Sequence, residues 1–209
     1  LGIAATQRGL TSAVISTDEM GLEEPTEFNF RAGSLSAMDV PAAVLSAIKY
    51  VEETKKPDII FIEGQSSLTE KGNPHPRGLS AAILIGAAPD AVIIGPSNPI
   101  TSISPILSLD GVKEALENTH VIAVSPIIGT DSVSGPASKF MDALGIEVSS
   151  LGVASLYESF LDTIVIDKKD NNLKDDLEKI VSEVIVTNTI MKNLDDKKKL
   201  AKIILNDIS

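Results

Sequence analysis

The sequence contains no cysteine and no tryptophan, and aromatic residues make up only 3% of its 209 positions. Without cysteine, the chain can form no disulfide, no thiolate metal site and no cysteine nucleophile. Its two histidines, His75 and His120, have no second ligand at the spacing of a metal site. His120 is interpreted as structural, whereas for His75 a role on a substrate and a structural role both stay open.

Basic residues are few, with 18 Lys and Arg against 29 Asp and Glu, which gives a formal charge of −11. Binding to nucleic acid needs a basic stripe that neutralises phosphates, so nucleic acid is excluded as a general partner. No apolar run reaches the roughly 18 residues that span a bilayer. Because Arg8 and Asp18 interrupt the N-terminal region too early for a signal peptide, we expect a cytoplasmic protein without a membrane partner.

Two phosphate-binding signatures are also absent. The sequence contains neither Gly-x-x-x-x-Gly-Lys-Ser/Thr nor Gly-x-Gly-x-x-Gly, so it has no complete P-loop and no dinucleotide fingerprint. The serines are many, and nothing selects one of them as the nucleophile of a Ser/His/Asp triad. The sequence therefore leaves the catalytic residues unknown.

Short runs rich in Val and Ile recur along the chain, at residues 13–15, 59–62, 91–94, 121–124, 164–166 and 184–186. Continuous rather than alternating hydrophobicity is typical of strands that are covered on both faces, as in parallel sheets. Helical patterns lie between them, at residues 41–54, 109–117, 136–144, 155–161, 173–181 and 195–205. Asp39 is placed to cap the first of these helices, and Gly145 is placed to end the third.

Strands that alternate with helices predict an α/β fold, namely a three-layer sandwich with a mainly parallel, Rossmann-like sheet. We expect residues 1–209 to form a single domain. Such sheets bind ligands at the carboxyl ends of their strands, so the loops that follow the Val/Ile runs are the places to search for chemistry.

Three of these loops are small, polar and rich in Gly or Pro, at residues 63–67, 95–102 and 125–136. Short hydroxyl side chains and backbone N–H groups beside a helix N-terminus can bind phosphate. The alternative is that Pro, Gly, Ser and Asn only form turns. Because three such loops follow successive strands, we favour a shared cleft for an anionic ligand.

Carboxylates at the carboxyl ends of predicted strands are also candidates for ligand binding. Asp18 and Glu63 each end a strand pattern, so they are the candidate ligands for the magnesium ion of a bound nucleotide. The alternative is that each caps a helix or a turn. Asp167, Asp170 and Asp175 alternate with lysines and are interpreted as a solvated linker.

From about Asp90 onward, the sequence resembles the carboxyl-terminal part of the 2-phospho-L-lactate transferase family. The matching stretches are residues 91–107, 124–129, 133–137 and 187–191. The resemblance implies transfer of a lactyl-phosphate group from a guanosine-activated donor to a deazaflavin alcohol in coenzyme F420 biosynthesis, with magnesium. Relatives with this arrangement are often dimers, so a homodimer is one expectation.

The resemblance also implies roles for individual residues. Ser97, Asn98, Thr101 and Ser102 would contact the nucleotide or its phosphates, and Ser125, Ser134 and Gly135 would line the acceptor pocket. Arg77 and Lys139 are the basic residues near the proposed cleft. The glycine-rich N-terminal loop of that family is absent here, so a non-catalytic nucleotide-binding or scaffold domain is the alternative function.

Residues 1–90 resemble instead a poorly characterised P-loop family, through the stretches 10–18, 62–68 and 86–91. That resemblance implies nucleotide binding, with the phosphate loop expected immediately upstream of Leu1. The two similarities meet near residues 89–95. The chain is therefore interpreted as a chimera of two family segments, joined where two sheets share a strand.

Overall fold

The computed structural model describes residues 1–17, 28–29, 35, 38–63 and 79–208, with the side chains of residues 79–81 and 85 excepted. The described chain divides into two compact units. The first contains Leu1–Pro89 and Ala201–Asp207, and the second contains Asp90–Leu200. The expectation of a single domain stays a prediction.

The first unit is built on a parallel three-stranded sheet. Its strands are β1 (Ser12–Ser16), β2 (Phe28–Asn29) and β3 (Ile59–Glu63), in the order β2-β1-β3. Helices α1 (Gly2–Thr6), α2 (Val40–Lys55) and α3 (Leu79–Ala87) belong to the same unit.

The amphipathic helix α2 forms the core of this unit with two partners. Its Ala47 and Val51 pack with Ala13 and Ile15 of β1. Its Val40 and Val44 are buried in a second cluster with residues of α3. The two helices approach closely, since a Cβ on Gly86 would lie 2.6 Å from Pro41 Cα.

The second unit contains a parallel four-stranded sheet in the order β4-β5-β8-β9. Its strands are β4 (Ala91–Ile94), β5 (His120–Val124), β8 (Thr163–Asp167) and β9 (Glu183–Thr187). The two central strands, β5 and β8, are buried along almost their whole length. A short antiparallel hairpin, β6 (Ile127–Ile128) and β7 (Asp131–Ser132), follows β5.

Helical segments connect the strands of the second unit. A π-helical turn (Pro99–Ile103), α4 (Ser104–Leu107) and α5 (Val112–Leu116) link β4 to β5. After the hairpin come α6 (Ala137–Ala143) and α7 (Ser150–Tyr157), and a 3₁₀ turn (Lys168–Leu173) with α8 (Lys174–Leu177) links β8 to β9. The C-terminal helix α9 (Leu194–Asp207) follows β9.

The predicted fold class is confirmed, because the chain is α/β with parallel sheets flanked by helices, consistent with a Rossmann-like three-layer fold. All six Val/Ile runs form strands. The predicted shared strand is wrong for the described residues, in which the two parallel sheets have no strand in common. None of the described helices is long and apolar enough to cross a membrane.

The predicted helix at residues 155–161 begins five residues earlier than expected. The Ser149 hydroxyl accepts a hydrogen bond from Gly152 N at 3.1 Å, so the helix begins there. Gly145 ends α6 as predicted, with a φ of +69°. Asp39 occupies the N-cap position of α2, but its side chain accepts no capping hydrogen bond.

We predict that Lys56→Gly stabilises the protein. Lys56 ends α2 with a φ of +49° and a ψ of +52°, a left-handed conformation that disfavours any residue with a Cβ. After allowing for the greater freedom of glycine in the unfolded chain, we expect a gain of about 0.5–1 kcal/mol. Urea denaturation measures it. Lys56→Ala is the matched control and should bring no such gain, and a lower midpoint for Lys56→Gly would contradict the argument.

We predict a pH-dependent contribution from Asp58. The Thr11 hydroxyl and backbone N–H donate to Asp58 Oδ2 at 2.7 and 2.8 Å and lower the pKa of that carboxyl. Because the folded pKa lies below the unfolded value of about 4, this stabilisation is present above pH 4 and is lost as the pH falls through the folded pKa. Thr11→Val should therefore lower the urea midpoint more at pH 7 than at pH 3. An equal loss at both pH values would refute the prediction.

Candidate functional site

Four strand ends meet at one edge of the second unit's sheet. All neighbouring strands are parallel, so their carboxyl ends share that edge. The register pairs near it are Ile94 with Ala123, Val124 with Val165 and Asp167 with Thr187. The loops that begin at Gly95 and Ser125 therefore leave adjacent strands on the same side, as expected for a ligand-binding edge. We call this the β4-β9 edge.

Asn98 caps the π-helical turn that follows β4. Its Oδ1 accepts hydrogen bonds from Ile100 N at 3.0 Å and Thr101 N at 3.2 Å. The backbone N–H groups of Ile100 and Thr101, which could have bound a phosphate, therefore already have an acceptor inside the protein. Among the described residues, no partner occupies Asn98 Nδ2, so this amide can still donate to a ligand.

Ser97, Thr101 and Ser102 surround this cap with exposed side chains. Their hydroxyls can donate to phosphate oxygens or to a ribose. The structure brings these three residues and Asn98 together because they lie in one tight segment of six residues. Their roles in nucleotide binding stay predictions.

Ser125 begins the loop after β5, and it is only 1% exposed. Its Oγ donates to Ile127 O at 3.0 Å and accepts from Ile127 N at 3.2 Å. The Ser150 hydroxyl of α7 reaches the same Oγ at 2.9 Å. Ser125 therefore lies in a buried hydrogen-bond network, and the predicted role in an acceptor pocket is not tested by this placement.

Asp170 completes this network from the 3₁₀ turn. Its Oδ1 accepts from Gly129 N at 2.7 Å, and its Oδ2 lies 3.4 Å from Ser150 Oγ. The side chain is 3% exposed. A buried carboxylate is tolerated only when donors replace its water, and here the backbone amide of Gly129 is the close donor.

Asp167 shows the same pattern at the end of β8. It is 4% exposed, and its carboxylate accepts from Lys169 N and Thr189 N, both at 3.1 Å. The interpretation of residues 167–175 as a solvated linker is therefore wrong for Asp167 and Asp170, although Asp175 is exposed. The sequence does contain a signal for a strand-end position of Asp167, because this residue directly follows a Val/Ile run, as Glu63 does.

Ser134 and Gly135 are exposed and lie just before α6. The Ser132 hydroxyl donates to Gly135 O at 2.6 Å, and Val133 N donates to Pro126 O at 2.8 Å. Gly135 has a φ of +66°, which favours glycine at this position. The helix that follows Gly135, α6, packs against the π-helical turn that follows Asn98.

The first unit has its own strand-end cluster. Thr17 Oγ1 donates to Glu63 O at 2.7 Å, and Ser16 Oγ lies 3.5 Å from Glu63 Oε2. Glu63 is exposed, at the end of β3, where its register partner is Ser16. Its predicted metal partner, Asp18, lies outside the described residues, as do His75 and Arg77.

The magnesium prediction is not tested by the described residues, because Asp18, one of its two predicted carboxylates, lies outside them. Within them, no three His, Asp or Glu side chains gather closely enough to hold a metal ion. Asp167 and Asp170 are the buried carboxylates of the β4-β9 edge, and their oxygens are engaged by N–H and O–H donors. We therefore derive no step through a metal ion, and the magnesium prediction stays untested.

The chemistry that this edge can support is binding and orientation. The ends of its loops are capped by Asn98, Ser125 and Asp170, which keeps them rigid. The groups left for a ligand are exposed hydroxyls, the Asn98 amide and the ammonium groups of Lys139, Lys168 and Lys169 in the same unit. This combination suits a phosphate-bearing molecule held by side chains.

We predict that Asn98→Ala destabilises the protein by about 1 kcal/mol, because it leaves two N–H groups at the π-helical turn without an acceptor. Asn98→Asp keeps the accepting oxygen and should leave stability within about 0.5 kcal/mol of the starting protein. Thermal and urea denaturation of both variants measure the difference. Equal losses in the two variants would show that the loss of stability does not come from the accepting oxygen of the cap.

Similar proteins bear the name 2-phospho-L-lactate transferase. The chain is 52% identical over 119 residues to the protein of Methanothermobacter thermautotrophicus, which covers 57% of this chain and 39% of the relative. It is 55% identical over 116 residues to the protein of Methanocaldococcus jannaschii, and that match covers 56% of this chain and 36% of the relative. It is 51% identical over 117 residues to the protein of Methanococcoides burtonii, and that match covers 56% of this chain and 38% of the relative. The predicted resemblance is confirmed, but the chain spans less than two-fifths of these relatives.

A second similarity involves the amino-terminal two-thirds of the chain. Residues 1–134 match the sequence model of a family described as "Domain of unknown function (DUF1611_C) P-loop domain". The predicted resemblance of residues 1–90 to a P-loop family is confirmed, and the match continues through β4, β5 and the hairpin. Because it covers more than half of the sequence, this chain belongs to the DUF1611 P-loop domain family.

Proposed function

We propose that the β4-β9 edge binds a guanine nucleotide donor and a deazaflavin alcohol, and that the protein acts as a transferase of the 2-phospho-L-lactate type in coenzyme F420 biosynthesis. Ser97, Asn98, Thr101 and Ser102 would bind the phosphates or the ribose of the donor. Ser134 and Gly135 would face the acceptor. The name of the relatives supports a transferase role, and the loops at the carboxyl ends of β4 and β5 support the proposed place.

The observation that carries the proposal is the adjacency of the two loops. The π-helical turn and α6 pack together, so a donor on the first loop and an acceptor beside Gly135 would be neighbours. Transfer of a phosphate-linked group depends mainly on such positioning and on neutralising charge at the transferred group. Lys139 on α6 and Lys168 after β8 are exposed cations of this unit that can contribute to the second requirement.

A second candidate function is nucleotide binding without catalysis. One observation favours it: the backbone N–H groups at the start of the π-helical turn are capped internally by Asn98. The two functions differ in one measurement. Stabilisation by GDP with MgCl2 and no product from donor and deazaflavin alcohol would favour binding alone, whereas turnover would exclude that alternative.

We predict that the double variant Ser97→Ala/Asn98→Asp weakens GDP binding by at least tenfold. It removes one hydroxyl and one amide donor and adds a negative charge beside the phosphates, while the cap on the π-helical turn stays in place. Isothermal titration calorimetry with GDP and MgCl2 measures the change, and tenfold corresponds to about 1.4 kcal/mol.

The matched control is Asn206→Asp, which adds the same charge to an exposed position of α9. It should leave the affinity for GDP within twofold of the starting protein. If the double variant also stays within twofold, the assigned role of Ser97 and Asn98 is refuted.

A further inference from the structure

Asp170 is a buried carboxylic acid that the proposed chemistry does not use. Its carboxylate is 3% exposed, and among the described residues no lysine or arginine forms an ion pair with it. An ionised group without a cation is costly in the protein interior unless it accepts good hydrogen bonds. Packing alone therefore does not explain a carboxylate at this position, because an apolar side chain would fill the same volume without that cost.

The hydrogen bonds of Asp170 converge on the hairpin β6-β7. Oδ1 accepts from Gly129 N, at the turn of the hairpin, at 2.7 Å. Oδ2 lies 3.4 Å from Ser150 Oγ, which in turn contacts Ser125 Oγ at 2.9 Å. Ser125 holds the first strand of the hairpin through Ile127 N and O. Asp170 therefore binds the tip of the hairpin directly through Gly129 N and approaches its base through the Ser150 hydroxyl, whose single proton points either to Asp170 or to Ser125.

The hairpin in turn sets the position of Ser134 and Gly135. Val133 N donates to Pro126 O at 2.8 Å, and Ser132 Oγ donates to Gly135 O at 2.6 Å. These bonds tie the exposed loop before α6 to the hairpin. A continuous set of hydrogen bonds thus connects the buried carboxylate with the surface that the proposed function assigns to the acceptor.

We propose that Asp170 is a positioning residue for the acceptor half of the β4-β9 edge, acting through Gly129 and Ser150 on the loop that contains Ser134 and Gly135. The proposal rests on the proposed function for the identity of the ligand. It assigns no contact between Asp170 and the ligand. Loss of the carboxylate releases the hairpin and impairs acceptor binding while the donor loop, which Asn98 holds independently, keeps its geometry.

The test measures two affinities in the full chain, that for a 5-deazaflavin alcohol by fluorescence polarisation and that for GDP with MgCl2 by calorimetry. In Asp170→Ala, we expect deazaflavin binding to weaken at least tenfold and GDP binding to change less than twofold. Asp170→Asn keeps an oxygen for Gly129 N and gains an amide that can donate to Ser150, so its deazaflavin affinity should stay within threefold.

Asp175→Ala is the control, because Asp175 is an exposed carboxylate in the same connection between β8 and β9 and does not cap the 3₁₀ turn that carries Asp170. It should leave deazaflavin affinity within twofold. If Asp170→Ala does not fold, Ser150→Ala takes its place, because it removes the hydroxyl between Asp170 and Ser125 and keeps the carboxylate with its bond to Gly129 N. Equal loss of both ligands, no loss of either, or the same loss in Asp175→Ala would overturn the proposal.

Failure of the proposed function gives a different result. If the unmodified chain binds no deazaflavin alcohol, the acceptor assignment is wrong, and amide hydrogen exchange then decides the role of Asp170. Exchange at Gly129 and Val133 should be at least tenfold faster in Asp170→Ala than in the unmodified chain, with no change at Ile94. Unchanged exchange at Gly129 and Val133 would overturn the positioning role.

Discussion

Parallel pairing of β4, β5, β8 and β9 is the constraint on which the second unit depends. It brings four strand ends to one edge, where the ladder stops and each departing loop must find partners for its own N–H groups. Asn98, Ser125, Asp167 and Asp170 supply those partners. The polar residues of this edge therefore stabilise the loops, and only their polar atoms without a protein partner can contact a ligand.

Polar side chains that bind the N–H groups of the loops explain how the loops of this edge are held in place without a glycine-rich phosphate-binding motif. A P-loop offers its backbone N–H groups to phosphate, whereas the loops of this edge use theirs internally. Under the proposed function, phosphate recognition therefore depends on exposed side chains, namely the Asn98 amide and neighbouring hydroxyls. The same feature makes the loops rigid, which lowers the entropy lost when a ligand binds.

Much of the fold could be predicted from short-range patterns. The Val/Ile runs located all six main strands, because strands buried on both faces need continuous apolar residues. The helix at Ser150–Tyr157 was misplaced, because its start depends on the Ser149 side chain and not on hydrophobic spacing. Asp167 and Asp170 were missed because their neighbouring lysines resemble a solvated surface, whereas burial depends on residues 20 or more positions away.

The sequence by itself determined the α/β class, the strand positions, the two family resemblances and the polar loops that carry them, since each depends on residues close together in the chain. Only the tertiary structure decided which of those loops meet, which carboxylates are buried and which N–H groups are already satisfied. Those properties arise from parallel pairing between distant segments, as when Asp170 accepts from Gly129 and connects parts of the chain that no local pattern relates.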